Sequence, residues 1–145
     1  MSIKHATFTL ERSYPASPAR VFAAWSDPSA KARWFAGPNG EHEQDFRVGG
    51  KEIIRGRHGE GPLLTFETHY DDIVPEQRIV FTSTMTADKT LTTVSITTVE
   101  FVADGEGTKL VLAQQGTYLD GHEEPNWREQ GTSSQLDALG VELSQ

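Results

Sequence analysis

Glu52 is the charged side chain whose position most strongly indicates chemistry. In the predicted strand Lys51–His58 it has the same parity as Ile54, so an inward Ile54 places the Glu52 carboxylate on the inner face as well. There the carboxylate could pair with Arg55 or Arg57, or act as a general base on a ligand hydroxyl or enol. Glu52 is therefore the candidate catalytic residue, and both interpretations stay open.

The histidines lack the spacing of a metal site. No two of them are four residues apart and no HExxH-like motif occurs; they are His5, His42, His58, His69 and His122. The chain also lacks a GxSxG motif, a Walker motif and a dinucleotide-binding glycine pattern. The carboxylate pairs Asp71-Asp72 and Glu123-Glu124 flank turns or a helix start, where solvation or the helix dipole explains them. We predict no metal and no cofactor.

Most of the chain has the pattern of strands. Glycine and proline turns separate alternating segments, and the connections after the second strand have hairpin length, which predicts an antiparallel meander. The predicted strands are Ile3–Tyr14, Gln44–Val48, Lys51–His58, Leu63–Val74, Arg78–Thr86, Leu91–Val102 and Thr108–Gln115.

Three helices are predicted, two short ones after the first strand and a long one at the end of the chain. Ser17-Pro18 and Asp27-Pro28 each combine an N-cap residue with a first-turn proline, which predicts a short helix through Trp25 and another from Pro28 to about Phe35. A long terminal helix is predicted over Glu124–Leu143. The whole is an α+β fold in which a curved seven-stranded antiparallel sheet wraps around the terminal helix.

The terminal helix has two different faces. Leu136, Leu139, Leu143 and Thr132 fall on one side, and the other side carries Trp127, Gly131, Ser134, Ala138 and Val141. If the small residues point inward, they deepen a pocket; if they point outward, they form a flat surface for a partner. The sequence leaves this choice open.

Polar residues are predicted on the inner face of the sheet, where strand parity places them among apolar residues. Because an unpaired buried polar atom costs about 1 to 3 kcal/mol, these groups need partners, and either a ligand or water and one another would serve. Aromatic residues are expected at the open end of the sheet, and Tyr118 is predicted to be a gate in the loop before the terminal helix. The ligand-binding candidates are Trp25, Trp34, Phe35, Ile54, Phe66, Thr68, Tyr70, Phe81, Ser83, Met85, Gln114, Tyr118, Trp127 and Thr132.

Composition narrows the functional class. The 145 residues suit one domain, predicted to span residues 1–145, and a net charge of −8 argues against nucleic acid or an anionic membrane as a partner. The absence of cysteine excludes disulfides and thiolate metal sites. The first residues lack the apolar run of a signal peptide, which predicts a cytoplasmic protein.

These features together match a known family. The order of one strand, two short helices, six strands and a terminal helix resembles the START-like or SRPBCC superfamily, whose helix-grip fold is shared with the birch pollen allergen. Within it, the chain is similar to the polyketide cyclase/dehydrase or heat-shock ATPase activator-like branch. The matching motifs are Ser17-Pro18-Ala19-Arg20-Val21-Phe22 with Trp25 and Pro28, Trp34-Phe35, Asp45-Phe46-Arg47-Val48-Gly49-Gly50, Tyr70-Asp71-Asp72-Ile73-Val74-Pro75 with Arg78-Ile79, Gly107-Thr108-Lys109-Leu110, and Arg128-Glu129-Gln130-Gly131 with Leu136-Asp137.

The resemblance implies a fold more firmly than a function, because this fold hosts several activities. We predict that a small apolar or aromatic ligand binds in a cavity between the sheet and the terminal helix. One alternative is a cyclase/dehydrase-like enzyme that holds a polyketide-type substrate in one folded geometry. Another is an interaction protein similar to the chaperone ATPase activators, although the chain has nothing like their linker or additional domain. A homodimer through an edge strand or a helix face is a further option.

Overall fold

The chain forms its strands and helices in the predicted order. The computed structural model describes residues 2–38 and 40–145. The elements are β1 (Ile3–Tyr14), α1 (Pro18–Ser26), α2 (Pro28–Lys31), a π-helical turn (Ala32–Ala36), β2 (Glu41–Gln44), β3 (Lys51–Arg57), β4 (Leu63–Val74), β5 (Arg78–Ala87), β6 (Thr90–Asp104), β7 (Gly107–Leu119) and α3 (Pro125–Leu143). The predicted α+β helix-grip fold is confirmed.

The seven strands form one antiparallel sheet of order β1-β7-β6-β5-β4-β3-β2. Strands β2 to β7 follow one another as a meander, and β1 pairs with β7 along its whole length. The register shifts between Tyr70 and Asp72 in β4 and between Met85 and Thr86 in β5. Because such bulges bend a strand and increase its twist, they help the sheet to curve around α3.

Residues of the same parity as the predicted inner polar residues form the buried rows of the sheet. A strand alternates its side chains between faces, and neither register shift lies within these stretches, so the parity holds along each of them. Buried positions in these rows are Thr68 and Tyr70 in β4, Ile79, Phe81 and Ser83 in β5, Thr97, Val99 and Phe101 in β6, and Leu110, Leu112 and Gln114 in β7.

The predicted second strand was misplaced. It was expected over Gln44–Val48, whereas β2 spans Glu41–Gln44 and residues 45–50 form a loop. Gly49 has a φ of +87°, and a Cβ atom on Gly50 would lie 2.1 Å from the carbonyl oxygen of Asp45. The loop therefore folds back tightly on itself, which a β-strand does not do.

The helix starts agree with the capping residues. Ser17 Oγ accepts a hydrogen bond from the backbone N–H of Arg20 at 3.2 Å, and Asp27 Oδ1 accepts one from the N–H of Ser29 at 3.2 Å. A single short helix was predicted from Pro28 to about Phe35. Only its first four residues are α-helical, and the chain continues as the π-helical turn Ala32–Ala36. This turn carries Trp34, which packs against Trp25 of α1, and Phe35, whose ring centre lies 6.2 Å from that of Phe66 in the sheet.

The leucine face of α3 lies against the sheet. Leu136, Leu139 and Leu143 are buried in the main apolar core, whereas Trp127 and Val141 on the opposite side are 57% and 61% exposed. Most of the small-residue face thus points away from the core. The sequence did not decide which face of the helix points inward. In the second half of α3 the leucine face does, and it fills the core there.

Truncation of the leucine face should destabilise the protein much more than truncation of the opposite face. Leu139→Ala removes a fully buried side chain and leaves a cavity, so we expect a loss of about 2 to 5 kcal/mol in the free energy of unfolding. Val141→Ala, two residues away on the exposed side, should change it by less than about 0.5 kcal/mol. Urea unfolding measures both, and equal losses would contradict this packing of α3.

Candidate ligand-binding cavity

A cavity of about 950 Å³ lies between the inner face of the sheet and the first half of α3. Its walls are mainly apolar and come from α1, the π-helical turn, strands β3 to β7 and α3. The apolar lining includes Trp25, Phe35, Ile54, Leu64, Phe66, Phe81, Met85 and Leu112. The exposed residues Arg57, His58 and Trp127 also border the cavity and mark its mouth.

Many of the residues predicted to bind a ligand line this cavity. They come from separate elements, and the curvature of the sheet brings them together. These residues are Trp25, Phe35, Ile54, Phe66, Phe81, Met85, Gln114, Trp127 and Thr132. Gly131 of α3 also borders the cavity, beside Trp127.

Four other predicted residues are buried outside the cavity lining. Thr68 and Ser83 bond to each other, with 2.9 Å between their hydroxyl oxygens, so neighbouring side chains satisfy them. Trp34 packs edge-on against Trp25 and donates its indole N–H to a backbone carbonyl. Tyr70 donates its hydroxyl hydrogen to Glu52. These side chains support the wall from behind.

The predicted gate at Tyr118 is not in a loop. Tyr118 lies within β7, which extends to Leu119 rather than ending at Gln115, and its side chain is buried. Its ring covers Gly116, where a Cβ atom would lie 2.7 Å from the ring. The missing side chain at Gly116 thus makes room for the tyrosine, which packs on the strand instead of closing an entrance.

A cluster of polar side chains, the polar cluster, forms one part of the cavity wall. It consists of Thr97, Gln114, Glu123, Arg128 and Thr132, all of which border the cavity. Arg128 donates from Nε and Nη2 to the two oxygens of Glu123, both at 2.8 Å, and from Nη1 to Gln114 Oε1 at 3.2 Å. Gln114 Nε2 then donates to Thr97 Oγ1 at 2.9 Å.

The polar cluster is held rigidly in an apolar setting. Arg128 is only 8% exposed, and its guanidinium lies 5.4 Å from the centre of the Phe66 ring, a cation–π distance. A two-point arginine–carboxylate contact also fixes the orientation of both groups. The cavity therefore presents polar groups at one fixed place to anything bound there.

Arg128 and Glu123 were missed as site residues in the sequence. One signal was available for Arg128, because it precedes Thr132 by four residues and so lies on the leucine side of the helix. Glu123 precedes α3, and from the sequence its carboxylate was attributed to solvation or to the dipole at the start of this helix. Its ion pair with Arg128 depends on how the chain enters α3, which residue spacing does not reveal.

Glu52 lies behind the aromatic wall and does not border the cavity. Lys31 Nζ is 2.9 and 3.1 Å from its two oxygens, His42 Nε2 is 2.7 Å from Oε2, and the Tyr70 hydroxyl is 2.6 Å from Oε1. The expected pairing with Arg55 or Arg57 is therefore wrong. The actual partner is Lys31 on α2. It precedes Glu52 by 21 residues, so the residues next to Glu52 in β3 do not indicate it.

The Lys31–Glu52 pair is almost completely buried, with 1% and 2% of the two side chains exposed. Burial alone would raise the pKa of Glu52. The charge of Lys31 and the hydrogen bonds from His42, Tyr70 and Lys31 outweigh it and lower that pKa to about 2. Each carboxylate oxygen already has two partners, so Glu52 serves here to anchor α2 to β3.

The same lysine supports the aromatic wall. Its ammonium group lies 4.2 Å from the centre of the Phe35 ring and 5.0 Å from that of Trp25. Both rings border the cavity. Lys31 thus links the buried carboxylate to two aromatic side chains that line the cavity.

Residues 2–38 and 40–145 contain neither a group of three His, Asp or Glu side chains arranged to hold a metal nor a helix with the length and apolar character needed to cross a membrane.

Removal of one partner of the buried ion pair should be costly, and removal of both should be tolerated. Lys31→Met leaves the Glu52 charge buried without its cation, so we expect a loss of about 3 to 5 kcal/mol in the free energy of unfolding. Lys31→Met combined with Glu52→Gln removes both charges and should recover most of it. Urea unfolding of the single and double variants tests this, and a double variant as unstable as the single one would refute it.

The ion pair should also make the protein sensitive to acid. Because folding lowers the pKa of Glu52 from 4.5 to about 2, its stabilisation is present above pH 4.5 and is lost as the pH falls toward 2. Over that range the wild type should lose about 3 kcal/mol more stability than the Lys31→Met/Glu52→Gln variant. Urea unfolding across this window measures the difference, and parallel curves for the two proteins would argue against it.

Comparison with known proteins agrees with the fold and with the family expected from the sequence. The model of the family described as Activator of Hsp90 ATPase homolog 1-like protein matches residues 15–144. None of the curated proteins matches the chain.

Two solved structures are similar over nearly their full length. The Mll3558 protein of Rhizobium loti is 43% identical with a TM-score of 0.92, covering 98% of this chain and 99% of its own. A protein from Rhizobium leguminosarum is 41% identical with a TM-score of 0.94, covering 99% and 97%. CalU16 from Micromonospora echinospora, 21% identical with a TM-score of 0.66 and covering 99% and 87%, shares the fold.

The family match covers most of the chain, and the strand order, the capped helices and the terminal helix agree with it. The chain therefore belongs to the Activator of Hsp90 ATPase homolog 1-like family of the START-like/SRPBCC superfamily.

Proposed function

We propose that this protein binds a small apolar or aromatic molecule in the cavity between the sheet and α3. The observation that carries the proposal is the cavity itself, with a volume of about 950 Å³ and walls made mainly of aromatic and aliphatic side chains. Ligand pockets in proteins usually measure roughly 300 to 1,000 Å³ and combine such walls with a few fixed polar groups. The polar cluster supplies those groups here.

Apolar burial would provide most of the binding energy. Each Å² of apolar surface removed from water contributes about 25 cal/mol, and a ligand in this cavity gains it from its own surface and from the walls. Trp25 and Phe35 lie at one side and Phe66 and Phe81 come from the sheet, so flat rings can make edge and face contacts with several of them. A flat aromatic body therefore suits these walls well.

The other functions considered from the sequence stay predictions. A cyclase/dehydrase-like reaction would need a group that moves a proton at the cavity, and Glu52, the candidate base, has both oxygens occupied behind the wall. An activator-like interaction with a chaperone, a homodimer and a cytoplasmic location are likewise untested expectations. The cavity favours ligand binding over the other two functions, because it is present in the structure and is lined mainly by apolar side chains.

Filling the cavity should abolish binding. Met85 borders the cavity on β5, so Met85→Trp places a large ring inside it, whereas Val80→Trp puts the same ring on the outer face of the same strand. A ligand at about 100 times its Kd stabilises the native state by about 2.7 kcal/mol. In thermal unfolding with a library of apolar aromatic compounds, we expect dose-dependent stabilisation of the wild type and of Val80→Trp but not of Met85→Trp.

Each result of this experiment is informative. If no compound raises the unfolding temperature of the wild type, the proposed function is wrong for this class of ligand. If compounds stabilise Met85→Trp as strongly as the wild type, they bind elsewhere, and the cavity is not the site. The unfolding temperatures without ligand show whether each variant folds.

A further inference from the structure

The polar cluster has several N–H donors that no acceptor within it engages. Arginine carries five N–H donors and no acceptor, and the bonds to Glu123 and Gln114 use three of them. Because Arg128 can only donate, Gln114 must turn its oxygen toward it and its NH₂ group toward Thr97. This leaves the second N–H of Gln114 and the O–H of Thr97 free to donate.

Thr132 adds another donor on the same wall. It is a largely buried residue of α3 that borders the cavity, one helical turn after Arg128, and none of the bonds within the polar cluster engages its hydroxyl. The carboxylate of Glu123 and the side-chain oxygen of Gln114 already accept hydrogen bonds. Glu123 takes two bonds from Arg128 and one from Thr93, and Gln114 Oε1 takes the third bond of Arg128.

The charges of the polar cluster balance. Arg128 is its cation, and both of its bonds to Glu123 measure 2.8 Å, so the positive charge is already neutralised inside the wall. An anionic ligand would meet the Glu123 carboxylate beside the arginine and would lose its hydration without a net opposite charge. A neutral acceptor avoids this cost and still satisfies the unused donors.

We propose that the ligand of this cavity carries a neutral carbonyl oxygen on an apolar or aromatic body, and that two of the unused N–H and O–H groups of Arg128, Gln114, Thr97 and Thr132 donate to that oxygen. The inference rests on the proposed function and narrows its ligand class. A carbonyl oxygen accepts two hydrogen bonds and donates none, which fits a wall whose unused N–H groups can only donate. A hydroxyl group would bring a donor of its own, which these N–H groups cannot accept.

Three compounds with the same ring system separate the chemistry of the head group from that of the body. Fluorene is a hydrocarbon, fluorenone replaces its central CH₂ with a carbonyl, and fluorenecarboxylate carries an anionic group. Isothermal titration calorimetry gives the three dissociation constants. Because satisfying buried donors is worth about 1 to 3 kcal/mol, fluorenone should bind at least about 5-fold more tightly than fluorene and than the carboxylate.

Variants then assign the preference to the polar cluster. Thr132→Val removes one donor at constant shape and should reduce the fluorenone-to-fluorene preference by about 3-fold or more. Arg128→Met combined with Glu123→Gln removes the arginine donors without leaving a buried unpaired charge and should lower the preference by about 3-fold or more, while the donors of Gln114, Thr97 and Thr132 keep the rest of it. Thr84→Val, the same change as at Thr132 but on the outer face of β5, should keep the wild-type preference.

The outcomes separate this inference from the proposed function. If fluorene and fluorenone bind equally tightly and Met85→Trp abolishes both, the cavity binds ligands but the carbonyl inference is overturned. Tightest binding of the carboxylate overturns it in favour of an anion site. If none of the three compounds binds, both proposals fail. If the folded Thr132→Val and Arg128→Met/Glu123→Gln variants both keep the full wild-type preference, the assignment to the polar cluster is also overturned, with near-ultraviolet circular dichroism reporting folding.

Discussion

The buried contact between Lys31 and Glu52 constrains the rest of this structure. Placing two charges in an apolar interior is expensive, and the cost is offset only because His42 and Tyr70 complete the hydrogen bonding of the carboxylate. The four residues come from α2, β2, β3 and β4, so satisfying one carboxylate fixes the helical segment over one end of the sheet. Because Lys31 also lies against Phe35 and Trp25, this polar anchor determines the shape of an apolar wall.

The terminal helix divides the interior into a solid part and a hollow part. Along a single stripe of α3, the side chains change from Arg128 and Thr132 to Leu136, Leu139 and Leu143. The leucines are long enough and apolar enough to fill the space above β6 and β7, whereas a threonine is too small to do so and the arginine is held to one side by Glu123. A change of residue type along one helical face thus decides where the core ends and the cavity begins.

The sequence predicted the features that depend on local rules. Strand parity identified the inner rows because the alternation of side chains needs no knowledge of distant residues, and Ser17 and Asp27 marked helix starts through bonds to nearby N–H groups. It failed where long-range contacts decide. The partner of Glu52 lies 21 positions away, the strand at β2 was displaced by a tight glycine loop, and the position of Tyr118 depends on room provided by Gly116. Much of the cavity wall could therefore be predicted, including Gln114 and Thr132, but the ion pair of Arg128 with Glu123 could not.

The unequal burial of the three tryptophans gives the protein a distinctive optical property. Trp25 and Trp34 are buried with 4.8 Å between their ring centres, whereas Trp127 stands at the mouth of the cavity and is 57% exposed. An indole in water emits at longer wavelength than one in an apolar interior, so the red part of the intrinsic fluorescence comes from the entrance and the blue part from the wall. The mouth of the cavity and the aromatic wall are therefore spectrally distinct in the unlabelled protein.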